Sequence, residues 1–388
     1  MVNYVSEDIK YVGVDDTDLD LFESQYAIPQ GVSYNSYVIM DEKVAVMDGV
    51  DDRAVDEWLD NVEKVLDGRK PDYIVVLHFE PDHSGGLEKF LLKYPDTTVV
   101  GNAKTFTIGS NYFDLAKYSQ VVVKEGDELS LGAHSLKFIM APMVHWPEVM
   151  VAFEQKEGVL FSADGFGKFG ALVHEDDDWA CEARRYYFNI VGKYGAPVQT
   201  LLKKAATLDI KKIAPLHGPV LSDNLSYYID LYDTWSSYKP EEKGVLVAYA
   251  SIHGNTEKVA NYIAKELEKK GEKVAFADLS REDMAEAVED AFRYDRMVLA
   301  ASSYDGGVFL PMEDFLLDLS YKAYQNRKVA ILENGSWAPT AARKMKSYIE
   351  GYKNVELVGD TVTIMARPKE EDYTKIDALV DAVIEAGK

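Results

Sequence analysis

Four metal-competent side chains, His78, Glu80, Asp82 and His83, fall within the hexapeptide HFEPDH. Imidazole and carboxylate together suit borderline first-row metals such as iron, zinc or manganese, and the absence of a nearby thiolate argues against copper(I) and iron–sulfur clusters. The chemistry implied is that of a metalloenzyme. Six residues cannot complete the coordination of two metals, so further donors must come from elsewhere in the chain. Of the seven histidines, His145 and His217 stand out. Each closes an apolar run and stands just before a proline, in APMVHWPEVM and KKIAPLHGPV. Asp164 ends a third such run, in GVLFSADGFG. His134, just after Gly132, and His174, beside Glu175 and three aspartates, read instead as solvated surface histidines.

These donors need rigid elements to hold them. PDYIVVLHF is a β-branched and aromatic run opened by proline, which predicts a buried strand ending at His78. Ser84, Gly85 and Gly86 then lead into LEKFLLKY, where Leu87, Phe90 and Leu91 recur at helical spacing. The hexapeptide is therefore a loop between a strand and a helix, a common setting for active sites. Four separate strands each deliver an acid or an imidazole at one end.

A second region begins at Gly244, where GVLVAYASIHGNTEKVANYIAKELEKKG reads as a strand, a loop and a long amphipathic helix. Ser251, His253, Gly254, Asn255 and Thr256 place hydroxyls and backbone N–H groups at the helix N-terminus, where the dipole favours a phosphate. Gly254 removes the Cβ obstacle to close approach. From Gly244 five strand–helix alternations run to DYTKIDALVDAVIEAGK, which predicts a doubly wound, five-stranded parallel sheet with ligands at the C-terminal strand ends. The preceding segment SSYKPEEKG is polar and Pro-bearing and reads as a linker. The expected domains are residues 1–242, an α+β sandwich of hairpins and helices, and residues 243–388, an α/β unit.

The chain has 388 residues, a formal net charge of −24 and a single cysteine, Cys181. One cysteine excludes an internal disulfide framework and a cysteine-coordinated iron domain, and fits a reducing cytoplasm. The acidic balance disfavours nucleic acid and anionic membranes as partners. No 18-residue apolar run exists, and MVNYVSEDIK has neither the basic nor the apolar region of a signal peptide.

The metal motif resembles that of the metallo-β-lactamase fold, an αββα sandwich whose hydrolases carry HxHxDH at this position. Here Glu80 replaces the second histidine. With His145, Asp164 and His217 following in order, the pattern is similar to that of the flavodiiron proteins. That resemblance implies a non-haem diiron site, with His78, Glu80 and His145 on one iron, Asp82, His83 and His217 on the other, and Asp164 bridging. A bridging acid holds two metals about 3.5–4 Å apart, so that both act on one small molecule. HWPE at His145 and EARRYY, Glu182–Tyr187, also look familial. Tyr186 and Tyr187 are candidate catalytic donors beside the irons, with an aromatic core as the other reading.

SxHGNT resembles the flavodoxin phosphate loop, so residues 243–388 are expected to bind FMN. In flavodoxin-like domains the later strand ends hold the flavin ring. Here these are Ser303, Tyr304, Asp305, Gly306 and Gly307 in SYDGG, and Gly335, Ser336 and Trp337 in NGSW, with Trp337 as a candidate stacking aromatic. DGG and NGSWAPT depart from the commoner family loops.

The resemblances together imply an oxidoreductase that reduces O2 to water, NO to N2O, or both. Its electrons would be relayed by FMN from rubredoxin or a rubredoxin reductase. They also imply a head-to-tail homodimer, or a tetramer; full turnover by a monomer would overturn this. The alternative is a zinc-dependent hydrolase with a flavodoxin-like docking domain, against which Glu80 counts. Around Gln25 and Tyr26 some relatives place a histidine near the irons, and this chain has none there.

Overall fold

Short β-branched runs in the first half of the chain pair into two facing sheets, each too apolar on its inner face to stand alone. A computed structural model describes residues 5–174 and 178–388; Glu175, Asp176 and Asp177 lie outside them. Two compact units result, Met1–Asp233 and Thr234–Lys388.

In the first unit, six strands form one sheet in sequential order: β1 (Ile9–Tyr11), β2 (Tyr37–Ile39), β3 (Ala45–Met47), β4 (Tyr73–Val75), β5 (Thr98–Gly101) and β6 (Gln120–Val122). The first two pairings are antiparallel and the last three parallel. The second sheet comprises β7 (Glu128–Ser130), β8 (Ser135–Met140), β9 (Met150–Glu154), β10 (Val159–Phe161) and β11 (Lys212–Ala214), antiparallel except for β10–β11. Tyr37 joins them, its ring 5.4 Å from Phe161 and its hydroxyl donating to the Pro215 carbonyl at 2.8 Å. Helices α1 (Val55–Leu66), α2 (Pro81–Ser84), α3 (Leu87–Lys93), α4 (Ala103–Gly109), α5 (Trp179–Tyr186), α6 (Gly195–Ala205) and α7 (Leu225–Ser236) occupy the connections.

The strand expected to end at His78 ends earlier, at Val75. Its last residues leave the ladder because a side chain takes over: Asp48 Oδ1 accepts from Leu77 N at 2.7 Å and His78 N at 3.3 Å. Pro81 then opens α2, where its fixed φ and missing N–H cost nothing. Asp82 and His83 sit in that single turn, with Glu80 just before it. Trp58 of α1, stacked on Phe90 of α3 at 5.3 Å, forms the floor beneath Gly86.

The second unit is a parallel sheet in the order β13 (Val274–Asp278), β12 (Glu242–Ala250), β14 (Tyr294–Tyr304), β15 (Lys328–Asn334) and a fifth strand broken into β16 (Glu356–Leu357) and β17 (Val362–Ile364). The break falls around Gly359, which has φ 69°. This 2-1-3-4-5 order is flavodoxin-like and doubly wound. Helices α8 (Asn255–Lys269) and α12 (Glu370–Ala386) cover one face. Their Val259, Ile263, Ile376 and Val380 pack on Val247, Val298 and Leu332. Helices α9 (Met284–Arg293), α10 (Leu310–Tyr321) and α11 (Ala341–Ile349) pack on one another as the remaining layer. Among the described residues no helix is long and apolar enough to cross a membrane.

Gly85 joins α2 to the rest of this scaffold. A Cβ there would lie 2.7 Å from both Asp52 N and Pro81 O, backbone atoms that cannot swing aside. Gly85→Ala should therefore cost about 1–3 kcal/mol of stability and shift Asp82 and His83. Thermal melting and metal content of the purified variant measure both; unchanged values would contradict this account.

Candidate functional site

All seven donors marked in the sequence meet at one end of the sandwich. The loop after β4 in the first sheet brings His78, Glu80, Asp82 and His83, and loops after β8, β10 and β11 in the second bring His145, Asp164 and His217. They sort into two groups, His78, Glu80, His145 and Asp164 in one, Asp82, His83 and His217 in the other. In the first, Glu80 Oε2 lies 3.1 Å from His78 Nε2 and 3.0 Å from His145 Nε2. In the second, Asp82 Oδ2 lies 3.3 Å from His83 Nε2 and 3.2 Å from His217 Nε2.

Asp164 links the groups. Its Oδ2 is 3.3 Å from His78 Nε2 and 3.1 Å from His145 Nε2, while its Oδ1 is 3.1 Å from His83 Nε2 and 4.0 Å from His217 Nε2. Ala163 and Phe166 flank it with φ of 51° and 66°, left-handed conformations uncommon for residues with a Cβ. The turn is held by Gly165 N and Gly167 N bonding to Ser162 O and Asp164 O, each at 3.0 Å.

The donor set fits two metals on physical grounds. Metal–ligand bonds of about 2.0–2.2 Å put neighbouring donor atoms about 3 Å apart, as observed here. Both oxygens of Asp82 and Asp164, and the Nε2 atoms of His83, His145 and His217, are buried with no hydrogen-bond partner among the described residues. Such atoms are costly unless something charged compensates them. Burial alone would raise the Asp164 carboxyl, but the imidazoles of His78, His83 and His145 hold it well below the ordinary range. Burial would likewise lower His145, but the carboxylates of Asp164 and Glu80, 3.1 and 3.0 Å from its Nε2, raise it to about 9.

The shell around these donors was less legible. His78 Nδ1 meets Glu148 Oε1 at 2.8 Å, and His217 Nδ1 donates to Ser33 O at 2.7 Å. Glu148 had one signal, its place in HWPE; Ser33, whose carbonyl meets His217 and whose Oγ accepts from Gly218 N at 2.8 Å, had none. Phe22 approaches His217 edge-on at 5.5 Å, and Tyr186 lies 5.5 Å from the same ring. Burial first, then Asp164, Asp82 and Glu80, push the Tyr186 phenol far above its ordinary range. Tyr187 lies instead against Tyr232 and Phe188, each at 5.1 Å. Gln25 donates to Glu23 Oε2 at 3.1 Å, and desolvation together with the charge of Glu80 raises the Glu23 carboxyl. His134 is a correction: it is 1% exposed, with Nδ1 3.0 Å from Glu154 and Nε2 3.2 Å from Asp8. Those acids come from distant segments, so its local surroundings could not reveal its burial.

In the second unit, Ser251, His253, Asn255, Thr256, Ser303, Gly335 and Ser336 line one pocket of about 100 Å³ at the C-terminal strand ends, joined by Ile252, Ser302, Asn334 and Ala366. Gly254, φ 78°, precedes α8, whose first turn has no side-chain cap. Its N–H groups stay available to an anion. Ser303 Oγ accepts from Thr340 N at 2.8 Å and Ala341 N at 3.1 Å, so it also caps α11. Tyr304, Asp305, Gly306 and Gly307 lie outside the pocket lining. Asp305 and Gly306, at φ 46° and 74°, form the two-residue turn of a hairpin closed by Tyr304 and Gly307. Trp337 is 88% exposed and also outside it.

Comparison with known proteins follows this division. Residues 32–218 match the ODP family of β-lactamase domains, and residues 246–366 match a flavodoxin domain. The chain thus joins a β-lactamase-type domain to a flavodoxin domain, and the relatives and solved structures it resembles are flavodiiron proteins. It is 27% identical over 358 residues to the anaerobic nitric oxide reductase flavorubredoxin of Escherichia coli, covering 89% of this chain and 74% of that one. Its fold matches rubredoxin:oxygen oxidoreductase of Desulfovibrio gigas with a TM-score of 0.91 at 23% identity, over 99% and 98% of the two chains. The flavodiiron protein of Giardia intestinalis gives 0.88 at 23%, over 98% and 96%. The flavodoxin unit implies FMN, and the seven-donor cluster is the part of a flavodiiron chain able to hold two irons.

Two predictions follow from the cluster. Asp164→Ala should empty both subsites and His217→Ala chiefly one, as read by iron per chain in elemental analysis; equal loss in the two variants would contradict the shared role of Asp164. In metal-free protein His145 has its pKa raised from 6.5 to about 9, so its protonated form adds stability below pH 6.5 that is lost as the pH rises through 9. Metal must displace that proton, so at pH 7 binding should release protons and tighten as the pH climbs towards 9. Calorimetry in buffers of different ionisation enthalpy tests this, and release of no protons would refute it.

Proposed function

We propose that this chain is an oxidoreductase that reduces O2 to water, NO to N2O, or both, with electrons passed through FMN from a rubredoxin-type donor, and that it works as a homodimer. The observation that carries the reading is Asp164, one buried carboxylate with an oxygen turned to each of two His/carboxylate groups. A hydrolase of this fold needs no flavin unit in the same chain, whereas a multi-electron reduction needs an electron store beside its metals. When bound, two irons and FMN together supply the four electrons that O2 needs, or the two that join a pair of NO molecules as N2O.

The chain's own residues set the conditions. Glu80, Asp82 and Asp164 supply hard anionic donors that favour iron in its higher charge state. Phe22, Phe169 and Tyr186 form an aromatic wall beside His217, with rings 5.1–6.4 Å apart, which limits water and suits a small neutral gas. The Tyr186 hydroxyl stays protonated at neutral pH and can donate a hydrogen bond at Oη. Tyr187, packed on Tyr232, supports that helix from behind.

The test is gas consumption by anaerobically prepared, iron- and FMN-loaded protein, reduced through rubredoxin and its reductase, with O2 and NO supplied separately. Rapid uptake of either gas, lost in His78→Ala, is expected. Tyr186→Phe should slow turnover by about 10²-fold, with Tyr187→Phe close to wild type. No uptake of either gas by loaded protein would overturn the proposal.

A further inference from the structure

The two metal subsites present matching inner donors, two imidazoles and a carboxylate each, around the shared Asp164. What lies behind them differs. On the first side, His78 Nδ1 donates to Glu148 Oε1 at 2.8 Å, with both side chains fully buried. The same oxygen accepts from Phe79 N at 2.9 Å, and the amide of Asn102 holds the Glu148 backbone carbonyl. Asn102 is itself fixed, because its Oδ1 caps α4 through Lys104 N and Thr105 N. The Glu148 side chain is thus buried, with two donors, His78 Nδ1 and Phe79 N, converging on Oε1.

The second side has no hydrogen-bonded counterpart among the described residues. His217 Nδ1 donates to a neutral carbonyl, Ser33 O, at 2.7 Å. His83 Nδ1 is buried with no hydrogen-bond partner among the described residues. Asp48 is the other buried carboxylate nearby: its Oδ1 accepts from Leu77 N and His78 N, while its Oδ2 has no hydrogen-bond partner among the described residues and acts on His83 through charge alone. Among the described residues, Glu148 is thus the one carboxylate outside the seven donors that hydrogen-bonds a donor imidazole.

A carboxylate partner draws the imidazole N–H proton towards itself, making the opposite nitrogen more electron-rich; a carbonyl does so less. We infer that Glu148 makes the two subsites unequal: the one formed by His78, Glu80 and His145 binds divalent metal more tightly and holds its iron at the lower reduction potential. Glu148 is a positioning residue acting through His78. The inference deepens the two-iron reading and rests on it.

The experiment titrates Fe(II) anaerobically into metal-free full-length protein against a chromophoric chelator, then measures iron potentials by EPR-monitored redox titration. Wild type should bind two Fe(II) with unequal affinity. Glu148→Gln, which keeps shape but removes charge, should weaken only the tighter step by about 10–100-fold and raise the potential of that iron, and Glu148→Asp should restore part of both. If Glu148→Gln does not fold, Asn102→Ala, which frees the Glu148 backbone, should move the same readouts in the same direction. Equal weakening of both steps, or lower thermal stability with unchanged iron affinities and potentials, would overturn the inference. Wild type binding fewer than two Fe(II) would instead overturn the two-iron reading itself.

Discussion

The first unit is organised around the placement of one carboxylate out of water. Asp164 has neither oxygen hydrogen-bonded by the described residues, yet four imidazoles surround it at 3.1–4.0 Å. A buried anion of this kind persists only if cationic charge is held against it from several directions. The rest of the unit supplies that: strand ends stop early, Asp48 replaces ladder partners, and Ala163 and Phe166 accept left-handed backbone so that the carboxylate stands between two sheets. Local irregularity here follows from the site.

The sequence made the donors themselves readable. Histidine and acid at the ends of apolar runs, each followed by Gly or Pro, are a pattern that chain reversal and metal chemistry both require, so His145, Asp164 and His217 could be picked out beside HFEPDH. The alternating strand–helix pattern after Gly244 was equally plain, because parallel strands are buried on both faces and read as continuous apolar runs. What stayed hidden was whatever depends on segments distant in the chain. His134 looked like a surface histidine because the acids that enclose it, Asp8 and Glu154, come from elsewhere. Ser33 meets His217 through its carbonyl, an atom that every residue has, and its hydroxyl accepts from Gly218 N, a partner far away in the chain.

The flavodoxin-like unit illustrates a different ambiguity. Glycine-bearing loops at strand ends suit both cofactor binding and tight turns, and composition does not separate these. Ser-x-x-Gly-Asn-Thr opens α8 with a left-handed glycine and an uncapped first turn, an arrangement that suits an anion. Asp305–Gly306, by contrast, takes the positive φ angles of a two-residue hairpin. Ser303 serves both purposes, lining the pocket while capping α11.

Each metal group draws donors from both sheets: His78 and Glu80 with His145 and Asp164, and Asp82 and His83 with His217. Bound metal would therefore act as a staple across the sandwich, tying together chain positions far apart in sequence, as a disulfide does in a secreted domain. This chain, with one cysteine, has no such bond of its own. Its cross-link would be made of imidazole and carboxylate, indifferent to thiol reductants and removable by chelators or acid. Supply of metal, rather than oxidation of thiols, would then decide when the first unit reaches its full rigidity.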